Sequence, residues 1–463
     1  MLFNSLPFLV FAAVFLGLWP VMKKRNTSKW WWICIMSFVF YGWWDWRFLF
    51  LLLGTGTLDY ICGHLLLKQP SLKRMWLWLS LGGNIASLLI FKYSLWLATA
   101  ADQLFHAYGI NTHFGESVPE FTLVLPVGIS FYTFNSMSYT IDLYRGKARP
   151  ADNLLHFFAF ISFFPHLVAG PIIRARDILG QLRADKRIHS LEILNGIKTC
   201  IWGFFQKMVL ADNLAVFVNQ QFNDVQRVND GFTWWICMFA FSFQIYFDFN
   251  GYSSIARGIA KLCGIHFRLN FNHPYLADSF GNFWQRWHIS LSSFFRDYVY
   301  IPLGGNRRSP LRNLFNRWFT MLLSGLWHGA NLTFIAWGAL HAAYLSLEKL
   351  FKHVTAPRLL KRTAVFLAVV LAWVFFRAEN ITEALHILKH MLSLDGTWRV
   401  KAVLAGNVSI WLLVSAGLEF GSAWPLSSRV RNNTVVQVIF WSLLVGVIIY
   451  FRGPEQQFIY FQF

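Results

Sequence analysis

The sequence has 463 residues, of which 56% are hydrophobic and only 14% are charged. An average soluble domain carries roughly 25% charged residues, so this composition excludes an ordinary soluble fold and favours a protein that uses lipid as its solvent. The formal net charge is +19, but Lys and Arg occur in short clusters between apolar runs. Such clusters are typical of membrane-topology signals rather than of a nucleic-acid-binding face.

Apolar runs of about the length of a membrane-crossing helix recur along the whole chain. They lie at 6–21, 30–53, 54–67, 75–97, 121–143, 155–172, 191–218, 232–256, 318–347, 363–376, 406–423 and 434–451. Allowing for joined and re-entrant segments, we expect about eleven transmembrane helices. The sequence therefore predicts an all-α polytopic membrane protein with one integral-membrane domain, 1–463, and no sizeable soluble domain.

Two stretches do not fit simple membrane spans. Residues 155–172 are apolar, but they lie between two basic segments and contain Pro165, His166 and Pro171, which predicts a re-entrant segment. Residues 273–317 mix arginines with aromatic residues. That mixture suits amphipathic helices in the cytoplasmic interface of the membrane.

One histidine, His328, lies in one of the most apolar parts of the chain, followed directly by Gly329. A polar side chain inside a membrane must be satisfied or functional. Trp327 offers a flat wall, Gly329 permits close approach, and Asn331 supplies a polar partner nearly one turn away. A catalytic histidine and a core histidine bonded to a carbonyl explain this pattern about equally well.

A second histidine, His288, lies in an aromatic and arginine-rich stretch with Arg286, Trp287, Arg296 and Asp297. Such a stretch could meet a cytoplasmic donor, with the arginines binding its phosphates. The alternative is an interfacial anchor, in which aromatic rings lie in the headgroup layer and arginines face anionic lipid. Composition alone favours the anchor.

A third polar stretch runs from Tyr246 to Ser254 and ends an apolar run. It contains Asp248, Gly251 and Tyr252. The carboxylate is either a functional intramembrane acid or a helix-end residue that bonds backbone amides.

Other motifs are weak or absent. His386 and His390 are spaced four residues apart, but no third ligand accompanies them, and the five cysteines form no C-x-x-C pair. We therefore expect no metal site and no bound cofactor. A P-loop and a G-x-S-x-G elbow are also missing, so the chain does not carry an obvious serine hydrolase of its own.

Taken together, these and further segments resemble the membrane-bound O-acyltransferase (MBOAT) superfamily, in the bacterial branch typified by the membrane subunit of alginate O-acetylation. The likeness covers nearly the whole chain, with a core motif region at about 121–350. The segments that carry it are 1–5, 41–44, 125–134, 169–172, 247–253, 283–292, 296–298, 301–307, 326–331 and 458–463.

The resemblance implies membrane helices around a central tunnel, with His328 matching the near-universal family histidine and His288 the second functional one. It implies a bacterial inner-membrane enzyme that takes an acetyl group from a cytoplasmic thioester, acetyl-CoA first, and passes it across the membrane. The acceptor would be alginate, cellulose, another exopolysaccharide or peptidoglycan, reached with a periplasmic SGNH hydrolase-like partner. Relatives commonly have Ser and Asp where this chain has Asn250 and Ser254.

These considerations combine into one hypothesis. A neutral His328 serves as the general base, with His288 as second catalytic residue. The expected donor and acyl-tunnel lining is Trp327, Asn331, Trp287, Arg286, Arg296 and Asp297, and the expected structural support is Asp248, Gly251, Tyr252 and Gly329. The expected partners are an acyl thioester, the periplasmic protein and membrane lipid, but no nucleic acid.

The competing class is a transporter or flippase that moves an acylated carrier or lipid-linked sugar without acyl-transfer chemistry. Such a protein needs a coupling-ion site near the membrane midplane, usually built from carboxylates. The apolar runs contain few acids apart from Asp59, Asp142 and Asp248, which counts against this alternative.

Overall fold

The structure is a computed structural model that describes residues 1–168, 170–184, 188–351, 355–393, 408–422 and 433–461. In these residues the backbone forms helices and turns without any strand, which confirms the all-α class. Ala169, Gln462 and Phe463 of the motifs above, and the ends of the apolar run at 406–423, lie outside the described residues.

The helices follow one another with short connections. In the first half they are Leu6–Met22, Asn26–Asp45, Phe48–Lys68, Pro70–Leu72, Lys73–Leu88, Leu89–Tyr93, Ser94–Ala107, Glu120–Leu123, Ile129–Tyr144, Leu154–Ile161, Phe164–Leu167, Ala175–Arg183 and Ser190–Phe204. In the second half they are Phe205–Ala211, Asp212–Phe222, Val225–Arg227, Gly231–Leu262, Pro274–Leu276, Phe280–Arg286, Ile289–Phe295, Arg296–Tyr300, Pro310–His328, Leu332–Leu350, Arg358–Arg377, Ile381–Leu392, Val408–Gly421, Thr434–Phe451 and Ile459–Phe461.

Five helices among the described residues are long and apolar enough to cross a membrane. They are Phe48–Lys68, Pro70–Ala107, Ser190–Phe222, Arg358–Arg377 and Thr434–Phe451. Only 6% of the most apolar window of the last helix is buried by protein, so its side chains need lipid around them. The chain is a multi-pass membrane protein, and the figure of eleven crossings stays a prediction.

The apolar run at 30–53 forms two helices rather than one. The first, Asn26–Asp45, ends where the Asp45 carboxylate accepts a hydrogen bond from the Arg47 amide at 3.0 Å. The second, Phe48–Lys68, begins directly afterwards. A polar side chain that bonds the backbone locally thus ends the helix inside a continuous apolar run.

The run at 318–347 is also two helices, and this break positions the candidate site. Pro310–His328 ends at the histidine, and Leu332–Leu350 starts after a short extended turn. Asn331 caps the second helix, because its side-chain oxygen accepts a hydrogen bond from the Thr333 amide at 3.0 Å. Asparagine is a preferred N-cap residue for this reason.

The two exceptional stretches contain short helices. Residues 155–172 include Leu154–Ile161 and Phe164–Leu167, of 8 and 4 residues, neither of which is long enough to cross a membrane. In the 273–317 stretch, Phe280–Arg286 and Ile289–Phe295 have 7 residues each. Both stretches thus lack the long helix that a simple span requires.

The chain divides into two compact units. The first unit comprises Met1–Cys200 and Ile255–Arg268, and the second comprises Ile201–Ser254 and Leu269–Phe463. Every candidate site residue predicted from the sequence lies in the second unit.

Candidate active site

His328 is the last residue of its helix and is only 4% exposed. Its imidazole lies among aromatic rings, which exclude water and lower the local dielectric constant. Measured between ring centroids, these neighbours are Trp327 at 5.0 Å, Trp337 at 5.0 Å, Phe376 at 5.1 Å, Tyr460 at 5.6 Å and Phe334 at 6.4 Å.

His288 is fully buried and has a positive φ of 41°, which is rare for a residue with a side chain. Its Nδ1 lies 3.2 Å from the side-chain oxygen of Asn270. Burial lowers the pKa of His288 to about 3, so the ring is neutral near pH 7. The other ring nitrogen, Nε2, is buried without a hydrogen-bond partner among the described residues.

The two histidines meet the same two aromatic side chains. The Trp327 ring lies 6.1 Å from His288 and 5.0 Å from His328. The Tyr460 ring lies 6.3 Å from His288 and 5.6 Å from His328. Residues 40 positions apart in sequence are therefore assembled into one cluster, which we call the histidine cluster: His288, His328, Trp327 and Tyr460.

The Tyr460 phenol adds a third polar group to the histidine cluster. Burial, with the nearby Asp248 carboxylate as a second cause, raises the pKa of Tyr460. The hydroxyl therefore keeps its proton at neutral pH. Two imidazoles and a protonated phenol in a ring-lined interior can support proton transfer to and from a reacting oxygen.

The predicted tunnel-lining residues differ in their distance from this cluster. Trp287 is 1% exposed and packs 5.0 Å from Phe271, whose ring stacks on His288 at 6.2 Å. Asn331 caps a helix and donates from its amide to the Glu379 carbonyl at 2.7 Å. Its role as a lining residue therefore stays a prediction.

The charged residues predicted to meet the donor are bonded to their neighbours. The Arg286 guanidinium donates to the Asn282 side chain at 2.9 Å and to the Asn272 carbonyl at 3.1 Å. Arg296 pairs with Asp297 at 2.8 Å, and its side chain is 63% exposed. These arginines are accessible to a soluble ligand, but no contact with either histidine ring is described.

Asp248 belongs to a buried ion cluster. The Lys207 ammonium lies 2.7 Å from Asp248 and 2.7 Å from Asp212, and all three side chains are at most 3% exposed. Lys207 also donates to the Gln456 carbonyl at 3.1 Å, and Asp248 accepts from the Ile459 amide at 2.7 Å. The cluster thus anchors the C-terminal segment that carries Tyr460.

Three other predicted support residues pack close to these groups. A Cβ on Gly251 would lie 2.9 Å from the Gly203 carbonyl oxygen, so only glycine lets the two helices approach this closely. Tyr252 is 2% exposed, with its ring 4.4 Å from that of Phe458. A Cβ on Gly329 would overlap the Phe334 ring.

Sequence reasoning missed three residues of this site. Tyr460 was noted only as part of a terminal motif, Asn270 was not singled out, and Lys207 lies in a helical turn of π geometry, Phe205–Ala211. The one available signal was Lys207 itself, a lysine inside the apolar run 191–218. An intramembrane charge is a reason to look for its partner.

The described residues offer no metal centre, since no group of three or more His, Cys, Asp or Glu side chains occurs among them. His386 and His390 do approach each other, with ring centroids 4.6 Å apart. Two imidazoles without a third ligand do not make a zinc site.

The helical membrane fold and the buried histidine cluster define a class of protein, the membrane-bound O-acyltransferases. The family model for the MBOAT, membrane-bound O-acyltransferase family, matches residues 147–385, more than half of the chain. The chain belongs to this family and is an O-acyltransferase.

Among its relatives, the chain is 39% identical to the "Probable alginate O-acetylase AlgI" of Pseudomonas aeruginosa, over 91% of this chain and 79% of the relative. It is 33% identical to the "Peptidoglycan O-acetyltransferase" of Helicobacter pylori, over 96% of this chain and 86% of the relative. It is 28% identical to the "Teichoic acid D-alanyltransferase" of Bacillus subtilis, over 58% of this chain and 68% of the relative.

Proposed function

We propose that this chain takes an acetyl group from a cytoplasmic thioester, acetyl-CoA, and passes it across the bacterial inner membrane for O-acetylation of an exported polysaccharide or cell-wall polymer. A periplasmic SGNH hydrolase-like protein is the proposed partner for the final transfer. The names of the relatives support acetyl transfer to a polymer. The observation that carries the proposal is the assembly of His288 and His328 around the Trp327 and Tyr460 rings.

In this proposal His328 is the general base. It removes the proton from the attacking hydroxyl while that oxygen bonds to the acyl carbon, and the thiolate leaves as the carbon–sulfur bond breaks. The aromatic surroundings of the ring disfavour its charged form before reaction. His288 contacts the same substrates through Nε2, and Arg286 and Arg296 meet the phosphates of the donor.

The acids named for the transporter alternative each have a structural partner. Asp59 accepts hydrogen bonds from Ser80 at 2.6 Å and from Asn84 at 2.8 Å. Asp142 pairs with Arg176 at 3.6 Å, and Asp248 lies in the ion cluster with Lys207. These partners support a structural role for the acids and favour the enzyme over an ion-coupled transporter.

The proposal is tested by measuring thioester turnover by the purified full chain in proteoliposomes, with and without its periplasmic partner. Acetyl-CoA consumption is followed as free thiol, and label from acetyl-CoA is followed into polymer. The proposal expects both, and both should depend on His328. Polymer movement without thiol release would instead identify a transporter.

The acceptor is tested in the same membranes. Alginate, cellulose and peptidoglycan fragments are offered separately, and acetyl esters are measured on each. The relatives named for alginate and peptidoglycan support these two first. D-alanyl transfer to teichoic acid is the weaker candidate, because the relative with that name is the least similar of the three.

Replacing Tyr460 with phenylalanine should lower acyl transfer at least about 10-fold, because it removes a hydroxyl beside both histidines while keeping the ring. Turnover is measured beside protein abundance in the membrane. The matched control is Tyr450→Phe, which removes a hydroxyl from a side chain that is 87% exposed. Equal activity of Tyr460→Phe and wild type would leave the hydroxyl without a part in the reaction.

A further inference from the structure

The side chain of Asn270 is the polar neighbour that fixes His288. Asn270 is 1% exposed, and its side-chain oxygen Oδ1 lies 3.2 Å from the Ser290 amide nitrogen, 2.9 Å from Ser290 Oγ and 3.2 Å from His288 Nδ1. Its side-chain nitrogen donates to Ser253 Oγ at 3.2 Å. Every polar atom of the Asn270 side chain is therefore engaged.

This arrangement determines which way the amide points. The Ser290 backbone N–H can only donate, so the Asn270 atom that faces it must be the oxygen. His288 Nδ1 faces that same oxygen and must therefore carry the hydrogen. In a neutral imidazole the other nitrogen then holds the lone pair. For His288 that nitrogen is Nε2, which is buried without a partner among the described residues.

Asn270 also holds the backbone of His288. The Ile289 amide donates to the Asn270 carbonyl at 2.8 Å. The left-handed conformation of His288, with φ at 41°, is unfavourable for a residue with a Cβ and needs such support. Asn270 thus secures both the backbone and the ring of the histidine.

We infer that Asn270 is a positioning residue that keeps His288 in its Nδ1–H form, so that Nε2 serves as a hydrogen-bond acceptor for a hydroxyl or amide group of the substrates. The inference rests on the proposed function and deepens it, since it assigns His288 an accepting role and not a donating one. Asn270 acts through His288 and touches no reacting atom itself.

The groups that face His288 determine how its charge responds to pH. Its ring neighbours are Phe249 at 4.6 Å, Phe271, Trp327 and Tyr460, of which the Tyr460 phenol is the titratable group. The nearby Asp248 carboxylate pairs with Lys207. Since burial lowers the pKa of His288 to about 3, the ring stays neutral across the range from about pH 5.5 to about pH 8.

Asn270→Asp tests the inference with nearly unchanged side-chain shape. A carboxylate beside Nδ1–H stabilises the imidazolium and raises the pKa of His288. As the pH falls, protonation then removes the Nε2 lone pair. We expect the ratio of variant to wild-type thioester turnover to fall about 10-fold between about pH 8 and about pH 5.5. A ratio that does not change with pH would overturn the inference.

The control for this change is Asn272→Asp, two residues away, where the side chain is exposed. It should leave the pH profile as in wild type. Failure of the proposed function is distinguishable, because the wild type itself would then release no thiol from acetyl-CoA at any pH.

A second measurement separates positioning from folding. Asn270→Ala should lower turnover about 10-fold in the wild type but cause no further loss in a His288→Ala background, since residues that act as a unit are not additive. Thermal unfolding of each purified variant is measured alongside. The same fold loss in both backgrounds would show that Asn270 acts independently of His288, and the inference would be wrong.

Discussion

Replacing His328 with alanine is expected to lower acyl transfer by about 10²- to 10⁴-fold, the contribution typical of a positioned general base. The protein should remain inserted and abundant, because the histidine lies at the end of its helix and not in the middle. The measurement is polymer acetylation in cells and thiol release by the purified chain. Undiminished acetylation by this variant would reject the assignment of His328.

Two further variants separate chemistry from packing. His328→Phe keeps an aromatic ring among Trp327, Trp337 and Phe376 but supplies no nitrogen, so it should be as inactive as the alanine variant. His113→Ala removes a histidine whose side chain is 71% exposed in the first unit, and it should retain full activity. If the phenylalanine variant were active, the ring at position 328 would have only a packing role.

The fold class could be predicted because composition and apolar run length depend on local sequence alone. Run length does not locate helix ends, however, as the breaks after Asp45 and after His328 demonstrate. Each break depends on one side chain that bonds the backbone, Asp45 in one case and Asn331 in the other. Such bonds are local, but hydropathy does not contain them.

The site was predictable only in part. His288 and His328 could be named because a histidine in an apolar or aromatic stretch is conspicuous, and the resemblance singled them out. Their partners come from distant segments: Asn270 lies 18 positions before His288, and Tyr460 comes from the C-terminal segment. Contacts of this kind depend on the packing of the chain, for which a single sequence carries little signal.

The buried ion cluster explains how the C-terminal segment is held in place. Lys207 balances Asp212 and Asp248, and the backbone of the segment bonds to the same groups through Gln456 and Ile459. Charges buried in this way are stable only while they remain paired. The position of Tyr460 therefore depends on the cluster, although the cluster does not touch either histidine in the described contacts.

Lys207→Met is expected to destabilise the protein by about 3–5 kcal/mol, because it leaves two buried carboxylates without their cation. Its unfolding midpoint should fall, and acyl transfer should fall with it as the segment carrying Tyr460 detaches. Adding Asp212→Asn and Asp248→Asn removes the unpaired charges and should restore most of the stability. Thermal unfolding of the purified chain in detergent measures both effects.

The control for this series is Arg227→Met, which breaks an ion pair with Asp224 whose side chains are 86% and 47% exposed. Exposed pairs contribute at most about 1 kcal/mol, so its midpoint should stay near that of the wild type. A Lys207→Met protein as stable as this control would mean that the carboxylates are not charged in the folded protein. If the triple variant regained stability without activity, the charges themselves, and not only the anchored segment, would be needed for acyl transfer.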